Sequence, residues 1–138
     1  EGADLDGLTF SPDFRWLYYN KDDRGQIFAV EIEGSSWDAE LVVELNLGGY
    51  SEIDGMTTDI CGNIYVIETQ GTVRRVKPNG GVQVLANLST GRDQFTSAIH
   101  FGSGIGGWKA DHLYVMDRYG GVFQIPAGIV GSPEPHLR

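Results

Sequence analysis

Residues 54–76 read DGMTTDICGNIYVIETQGTVRRV, and this stretch decides the fold because a related pattern occurs three times along the chain. Residues 6–30 begin with DGLTFSPD and continue through WLYYN to GQIFAV. Residues 96–125 hold the loosest copy, in which TSAIHF is followed by HLYVMD and GGVFQI. A repeat of about 45 residues is typical of architectures built from one recurring supersecondary unit.

Each copy reads as a set of short β-strands. The runs are rich in Val, Ile, Tyr, Phe and Thr, and they are bounded by Gly, Asn, Asp and Pro, which favour turns. Residues 40–45 and 82–86 add a fourth strand to the first two copies, and no segment shows a convincing helical period. The sequence therefore predicts an all-β fold of three four-stranded antiparallel blades of a β-propeller, at about residues 4–48, 49–91 and 92–130.

A β-sandwich is the alternative fold, but the strands of a sandwich need not recur as a motif. Three blades are fewer than the ~4–8 blades that close a propeller ring. Pro126, Pro133 and Pro135 also disfavour a fourth strand after the third copy. We therefore expect a partial propeller whose ring is completed by a second copy of the chain or by a missing N-terminal half.

The composition limits the classes of function. The 138 residues suit one domain, 1–138, and 41% of them are hydrophobic, which excludes a disordered tail. The net charge of −9 repels phosphate groups, so neither nucleic acid nor an anionic membrane is expected as a partner. Cys61 is the single cysteine, which excludes an internal disulfide and a cysteine-based zinc site. The compartment stays open, with the cytoplasm slightly favoured.

Asp6 and Asp54 occupy equivalent positions, each at the start of the innermost strand of its blade. Two carboxylates that converge at one mouth of a channel repel each other unless a cation lies between them. Alternatively, each Asp-Gly pair is only a turn whose Asp caps backbone amides. Thr96 and Ser97 stand at this position in the third copy, and His100 is the one histidine whose strand position could face the channel.

The sequence resembles the SMP-30 (regucalcin)/gluconolactonase family along nearly its whole length. Residues 6–20 are similar to the Asn-Gly-Leu motif of that family and the strand that follows, and residues 53–66 are similar to its Pro-Asp-Gly-Met segment. Residues 96–115 look like its Thr-Ser/Asn, Phe-Gly-Gly and Tyr-Val run, and residues 120–125 look like its closing Gly-Gly-Ile-Phe strand. The Asp-Gly-Met block is the most specific of these matches.

The resemblance implies the C-terminal half of a six-bladed propeller, with a divalent metal in the central channel. Of the four metal ligands of the family, the two in this half match Asp6 and Asp54, although the family usually carries Asn at the first position. The role of general base matches Asp54. The resemblance implies Ca²⁺ first, with Zn²⁺, Mn²⁺ or Mg²⁺ as alternatives, and hard carboxylate oxygens suit these ions.

Two functions remain open. The family resemblance implies part of a metal-dependent lactonase or esterase that hydrolyses a sugar lactone or a related small-molecule ester. In such an enzyme a cation polarises the ester carbonyl, and a carboxylate takes a proton from the attacking water. The alternative is a non-catalytic propeller module that binds a protein or a small ligand, because the other two ligands of the family have no counterpart in this sequence.

Overall fold

Short runs of branched and aromatic residues form the strands, because such side chains pack well on a pleated sheet. The computed structural model describes residues 5–21, 24–48, 51–88 and 94–133. The strands of the first sheet are β1 (Leu5–Phe10), β2 (Trp16–Lys21), β3 (Gln26–Glu31) and β4 (Glu40–Glu44). Those of the second are β5 (Ile53–Thr58), β6 (Ile64–Glu68), β7 (Thr72–Val76) and β8 (Val82–Asn87). Those of the third are β9 (Thr96–Phe101), β10 (His112–Asp117) and β11 (Val122–Pro126).

All three sheets are antiparallel, and in each of them strands that follow one another in sequence are paired. The all-β prediction is confirmed, and three separate sheets are not the two facing sheets of a sandwich. The described part of the chain contains no helix long and apolar enough to cross a membrane. The predicted boundaries at residues 4, 49, 91 and 92 lie outside the described residues.

The third sheet differs from the prediction of four strands in every unit, since it has three strands among the described residues. After β11 the chain leaves the third sheet and runs back to the second. The Ile60 amide donates to the Val130 carbonyl at 3.2 Å, and the Ser132 amide donates to the Thr58 carbonyl at 2.9 Å. Pro126 ends β11, and because proline has no amide hydrogen it cannot extend the ladder.

The core consists of two apolar layers, each between two successive sheets. The layer between the first and second sheets is formed by Ile27, Leu45, Ile53, Met56, Ile64, Val66 and Val76. The layer between the second and third sheets is formed by Tyr65, Ile67, Val73, Ile99, Leu113, Val115 and Ile125. The sheets are therefore held together by face-to-face packing of side chains, and each sheet adds one layer to the next.

The innermost strands lie side by side. β1 contacts β5, and β5 contacts β9. Each of these strands is the first of its sheet in sequence, so the residues at equivalent positions of the three repeats are brought to one side of the molecule. The predicted site residues all lie on these strands.

Candidate functional site

The two predicted ligands lie in β-bulges at the same point of two neighbouring strands. In β1, Asp6 and Gly7 face a single residue of β2, and in β5, Asp54 and Gly55 face a single residue of β6. A bulge adds one residue to one strand and re-aims the side chains at that point, which is why bulges occur beside functional sites. Each Asp-Gly pair therefore lies within a strand and not in a turn before it.

The third inner strand has the same irregularity, at Ser97. Thr96 pairs with Asp117 and Ala98 pairs with Met116, so that Ser97 is the extra residue. This finding corrects the sequence alignment by one residue, because the pair equivalent to Asp-Gly is Ser97 and Ala98 instead of Thr96 and Ser97. Three adjacent bulges thus carry two carboxylates and one hydroxyl.

Glycine at position 7 allows the first two bulges to come together. A Cβ atom added to Gly7 would lie 2.5 Å from the Asp54 carbonyl oxygen and 2.6 Å from Asn20 Oδ1. Gly55 makes the next step possible in the same way, because its added Cβ would lie 2.9 Å from the Ile99 nitrogen of β9. The backbones of the three inner strands therefore approach each other more closely than any side chain at these positions would permit.

Asn20 joins the two Asp-bearing bulges, and sequence reasoning missed this role. The side chain is fully buried. Its Oδ1 accepts a hydrogen bond from the Gly7 amide, and its Nδ2 donates to the Ile53 carbonyl at 2.7 Å and to the Asp54 carbonyl at 3.4 Å. The available signal was a polar residue at a position where the second repeat carries the apolar Ile67.

Thr96 makes the corresponding link between the second and third sheets. Its buried hydroxyl donates to the Glu68 carbonyl at 2.6 Å, and its amide donates to the Thr69 carbonyl at 3.0 Å. Each of these buried hydrogen bonds pairs a donor with an acceptor, so together they fix the position of β9 against the second sheet. Thr96 is completely buried and has a structural role.

The two carboxylate residues differ in their surroundings. Asp6 is exposed and lines a groove on the open side of the first sheet, whereas Asp54 of β5 is half-buried. Among the residues that the structure describes, no group of three or more His, Cys, Asp or Glu side chains could hold a metal ion. Carboxylate oxygens are donors that suit a hard cation, and Asp6 and Asp54 supply such oxygens at the two bulges.

A cavity of about 120 Å³ lies further along the inner strands, beyond the bulges. Thr9, Thr57 and His100 line it from β1, β5 and β9, respectively. Ligand sites usually have ~300–1,000 Å³, so this cavity is too small for a sugar-sized molecule unless further walls extend it. His100 is exposed and lines this cavity.

Solved structures of similar fold include a luciferin-regenerating enzyme, with a TM-score of 0.67 and 19% identity over 92% of this chain and 46% of that one. A gluconolactonase from Xanthomonas campestris has a TM-score of 0.64 and 21% identity over 88% of this chain and 37% of that one. The calcium-binding protein regucalcin from Agrobacterium tumefaciens has a TM-score of 0.63 and 18% identity over 94% of this chain and 47% of that one. This chain thus spans less than half of each of these proteins.

No match was found among curated proteins. Residues 5–117, by contrast, match the SMP-30/gluconolactonase/LRE-like region. This range includes both Asp-Gly bulges, all three inner strands and Asn20, whose side chain joins the two bulges. The chain therefore belongs to the SMP-30/gluconolactonase/LRE-like family.

Proposed function

We propose that the chain is half of a six-bladed propeller and contributes to a metal-dependent lactonase or esterase. Each of the three sheets is one blade, and the inner strands line the channel. The observation that carries this proposal is the pair of adjacent bulges with Asp6 and Asp54, clamped together by Asn20. Membership of the family supports a lactonase-type reaction.

Asp6 and Asp54 are the proposed ligands of a divalent cation, and Ca²⁺ is the first candidate. Carboxylate oxygens are the donors that Ca²⁺ prefers, and Zn²⁺, Mn²⁺ and Mg²⁺ also accept them. When bound, such a cation polarises an ester carbonyl and lowers the pKa of water. The chain supplies two ligands, and the remaining ligands come from the other half of the ring.

Asp54 is the proposed general base. Its half-buried position limits the access of bulk water, and the Asn20 amide fixes its backbone at the carbonyl. A carboxylate held in this way can take a proton from a water molecule that attacks the lactone carbonyl. Asn20 is a positioning residue in this scheme, because it holds the bulge without contacting the substrate.

The proposed substrate is a small lactone or ester. The inner-strand cavity of about 120 Å³ offers the hydroxyls of Thr9 and Thr57 and the imidazole of His100. These groups suit a polar ring that carries hydroxyl groups, and the walls of the other half ring enlarge the cavity.

The experiment compares hydrolysis of gluconolactone by the chain, in Ca²⁺ and in a chelator, with hydrolysis by the Asp54→Asn variant. We expect a rate above the uncatalysed reaction, loss of that rate in the chelator, and a decrease of about 10²-fold in the variant, the scale of losing a general base. Asp38→Asn is the control, because Asp38 is an exposed carboxylate between β3 and β4. An equal rate in the Asp54→Asn variant would contradict the assignment.

A non-catalytic module is the second candidate. The small volume of the inner cavity, about 120 Å³, favours it. If calorimetry detects Ca²⁺ binding by the chain while gluconolactone is hydrolysed no faster than in buffer, binding without catalysis is the better account.

A further inference from the structure

The side of the second sheet that faces the third is an apolar surface built from equivalent positions of two strands. Tyr65 and Ile67 of β6 and Val73 of β7 are all completely buried there, and Ile67 pairs directly with Val73. This surface shows what one sheet presents to the next in sequence.

The third sheet carries the same surface, but none of the residues that the structure describes covers it. Met116 pairs directly with Val122, as Ile67 pairs with Val73. Yet Met116 and Val122 are each 55% exposed, whereas their counterparts in the second sheet are 0% exposed. Together with Tyr114 they line a largely apolar cleft of about 530 Å³.

The first sheet has the complementary open surface on its other side. Leu5 and Leu8 are each 58% exposed, whereas the equivalent Ile53 and Met56 of the second sheet are 0% and 5% exposed. A groove of about 250 Å³ runs along these leucines, and Trp37 forms part of its wall. The two ends of the stack are therefore the two halves of one type of sheet-to-sheet interface.

We propose that a second copy of this chain covers both open faces. The third sheet of each copy packs on the first sheet of the other, and a twofold axis closes a ring of six sheets with no open face. The interface repeats the contact that already joins successive sheets within the chain. The length is compatible with this arrangement, because the chain spans 46%, 37% and 47% of the three similar structures, so two copies supply most of one such fold.

The dimer rests on the proposed half ring, but not on the proposed reaction. It also completes the candidate site, because β9 of each copy comes to lie beside β1 of the other and the channel gains its missing wall. The net charge of −9 on each copy opposes association, and salt screens this repulsion over a Debye length of ~10 Å at 0.1 M. We therefore expect a tighter dimer at higher ionic strength.

Sedimentation velocity of the chain at micromolar concentration tests the proposal, whether or not the chain hydrolyses a lactone. The expected mass is twice the 15.1 kDa of one chain, and the dimer fraction rises with added sodium chloride. A single species of 15.1 kDa at every salt concentration would overturn the proposal, as would a mass that keeps growing with concentration, since that is the behaviour of an open chain of subunits.

Two variants test which faces meet. In the proposed ring, each of the two interfaces between copies joins the third sheet of one copy to the first sheet of the other. Leu8→Glu and Met116→Glu each place a charge in both interfaces, so each variant alone should be monomeric. An equimolar mixture of the two variants should form a heterodimer, because one of the two interfaces in that dimer carries neither substitution. The control is Val84→Glu, since Val84 is 53% exposed on β8 and lies on neither open face.

Circular dichroism checks that each variant keeps its strands, as expected for substitutions of exposed side chains. A Leu8→Glu chain that stays dimeric would overturn the head-to-tail ring, because a dimer joined through two third sheets does not need Leu8. A mixture of the two variants that stays monomeric would overturn it as well.

Discussion

Asp59 is a carboxylate that accepts four hydrogen bonds, and its role is structural. One carboxylate oxygen accepts from the amides of Cys61 and Asn63 at 2.9 and 3.0 Å. The other accepts from Asn63 Nδ2 at 2.7 Å and from the Tyr65 hydroxyl at 2.8 Å. The side chain is completely buried, so its hydrogen bonds replace the water that it has lost. Asp59 therefore fixes the turn between β5 and β6.

Tyr65 gives this network a measurable pH dependence. Burial raises the pKa of the Tyr65 phenol, and the hydrogen bond to Asp59 raises it further. Since its folded pKa lies above the unfolded value of about 10, the neutral phenol contributes its full stability below that pH. The contribution is lost as the pH rises through the folded pKa.

We expect Tyr65→Phe to lower the free energy of unfolding by about 1 kcal/mol at neutral pH, the usual value of one hydrogen bond. Above pH ~10 the difference in the free energy of unfolding between the two chains should narrow, because the Tyr65 phenol ionises in the unfolded chain while it stays neutral in the folded chain. Urea unfolding at a series of pH values measures this difference. Tyr119→Phe is the control, because Tyr119 is exposed and lies outside this hydrogen-bond network. A constant difference at all pH values would contradict the network.

At the level of single residues, the sequence predicted the position of Asp6 and Asp54 in the repeat but not what holds them. The repeat made the two carboxylates equivalent, and the structure presents both in bulges. Asn20 could not be assigned in advance, because its partners at Gly7 and Ile53 are brought together only when two sheets pack. Whether the two carboxylates bind a metal stays a prediction.

The inner strands depend on glycine where neighbouring backbones touch. Gly7→Ala would place a methyl group 2.5 Å from the Asp54 carbonyl oxygen, so β1 and β5 would have to separate. We expect a loss of about 1–3 kcal/mol in the free energy of unfolding, the usual effect of overpacking, together with weaker Ca²⁺ binding.

The matched control for this substitution is Gly48→Ala. An added Cβ at Gly48 would have no atom within 4 Å, so this substitution should leave both the stability and Ca²⁺ binding unchanged. Chemical unfolding and calorimetry of the two variants measure these effects. Equal stability of the Gly7→Ala and Gly48→Ala chains would show that the bulges do not need the close approach.

At the level of elements, runs rich in Val, Ile, Tyr, Phe and Thr, bounded by turn residues, were enough to predict the strands. These signals did not predict the bulges, because an extra residue changes the strand pairing without changing the composition. In the third repeat, Thr96 was therefore aligned with Asp54, although Ser97 is the equivalent residue. The path of the chain after β11 was not predicted either. Prolines indicated that a fourth strand was disfavoured, but the bridge between Asp59 and Gly131 depends on the second sheet being nearby.

For the whole molecule, the repeat predicted three units, and the structure shows how they stack. Each sheet buries one face against the next, which leaves Leu8 at one end and Met116 at the other exposed. Packing of this kind can continue through any number of sheets, so this chain alone does not determine how many sheets the proposed ring contains. The half ring and its completion by a second copy are therefore proposals about assembly.

The central claim is that two neighbouring bulges present Asp6 and Asp54 to one divalent cation. Calorimetric titration of the chain with Ca²⁺ tests it most directly, with Asp6→Asn, Asp54→Asn and the exposed control Asp38→Asn measured in parallel. We predict that Asp54→Asn abolishes the binding, that Asp6→Asn weakens it because an amide oxygen is a neutral ligand, and that the control keeps it. Ca²⁺ affinity that is the same in all four proteins would contradict the account.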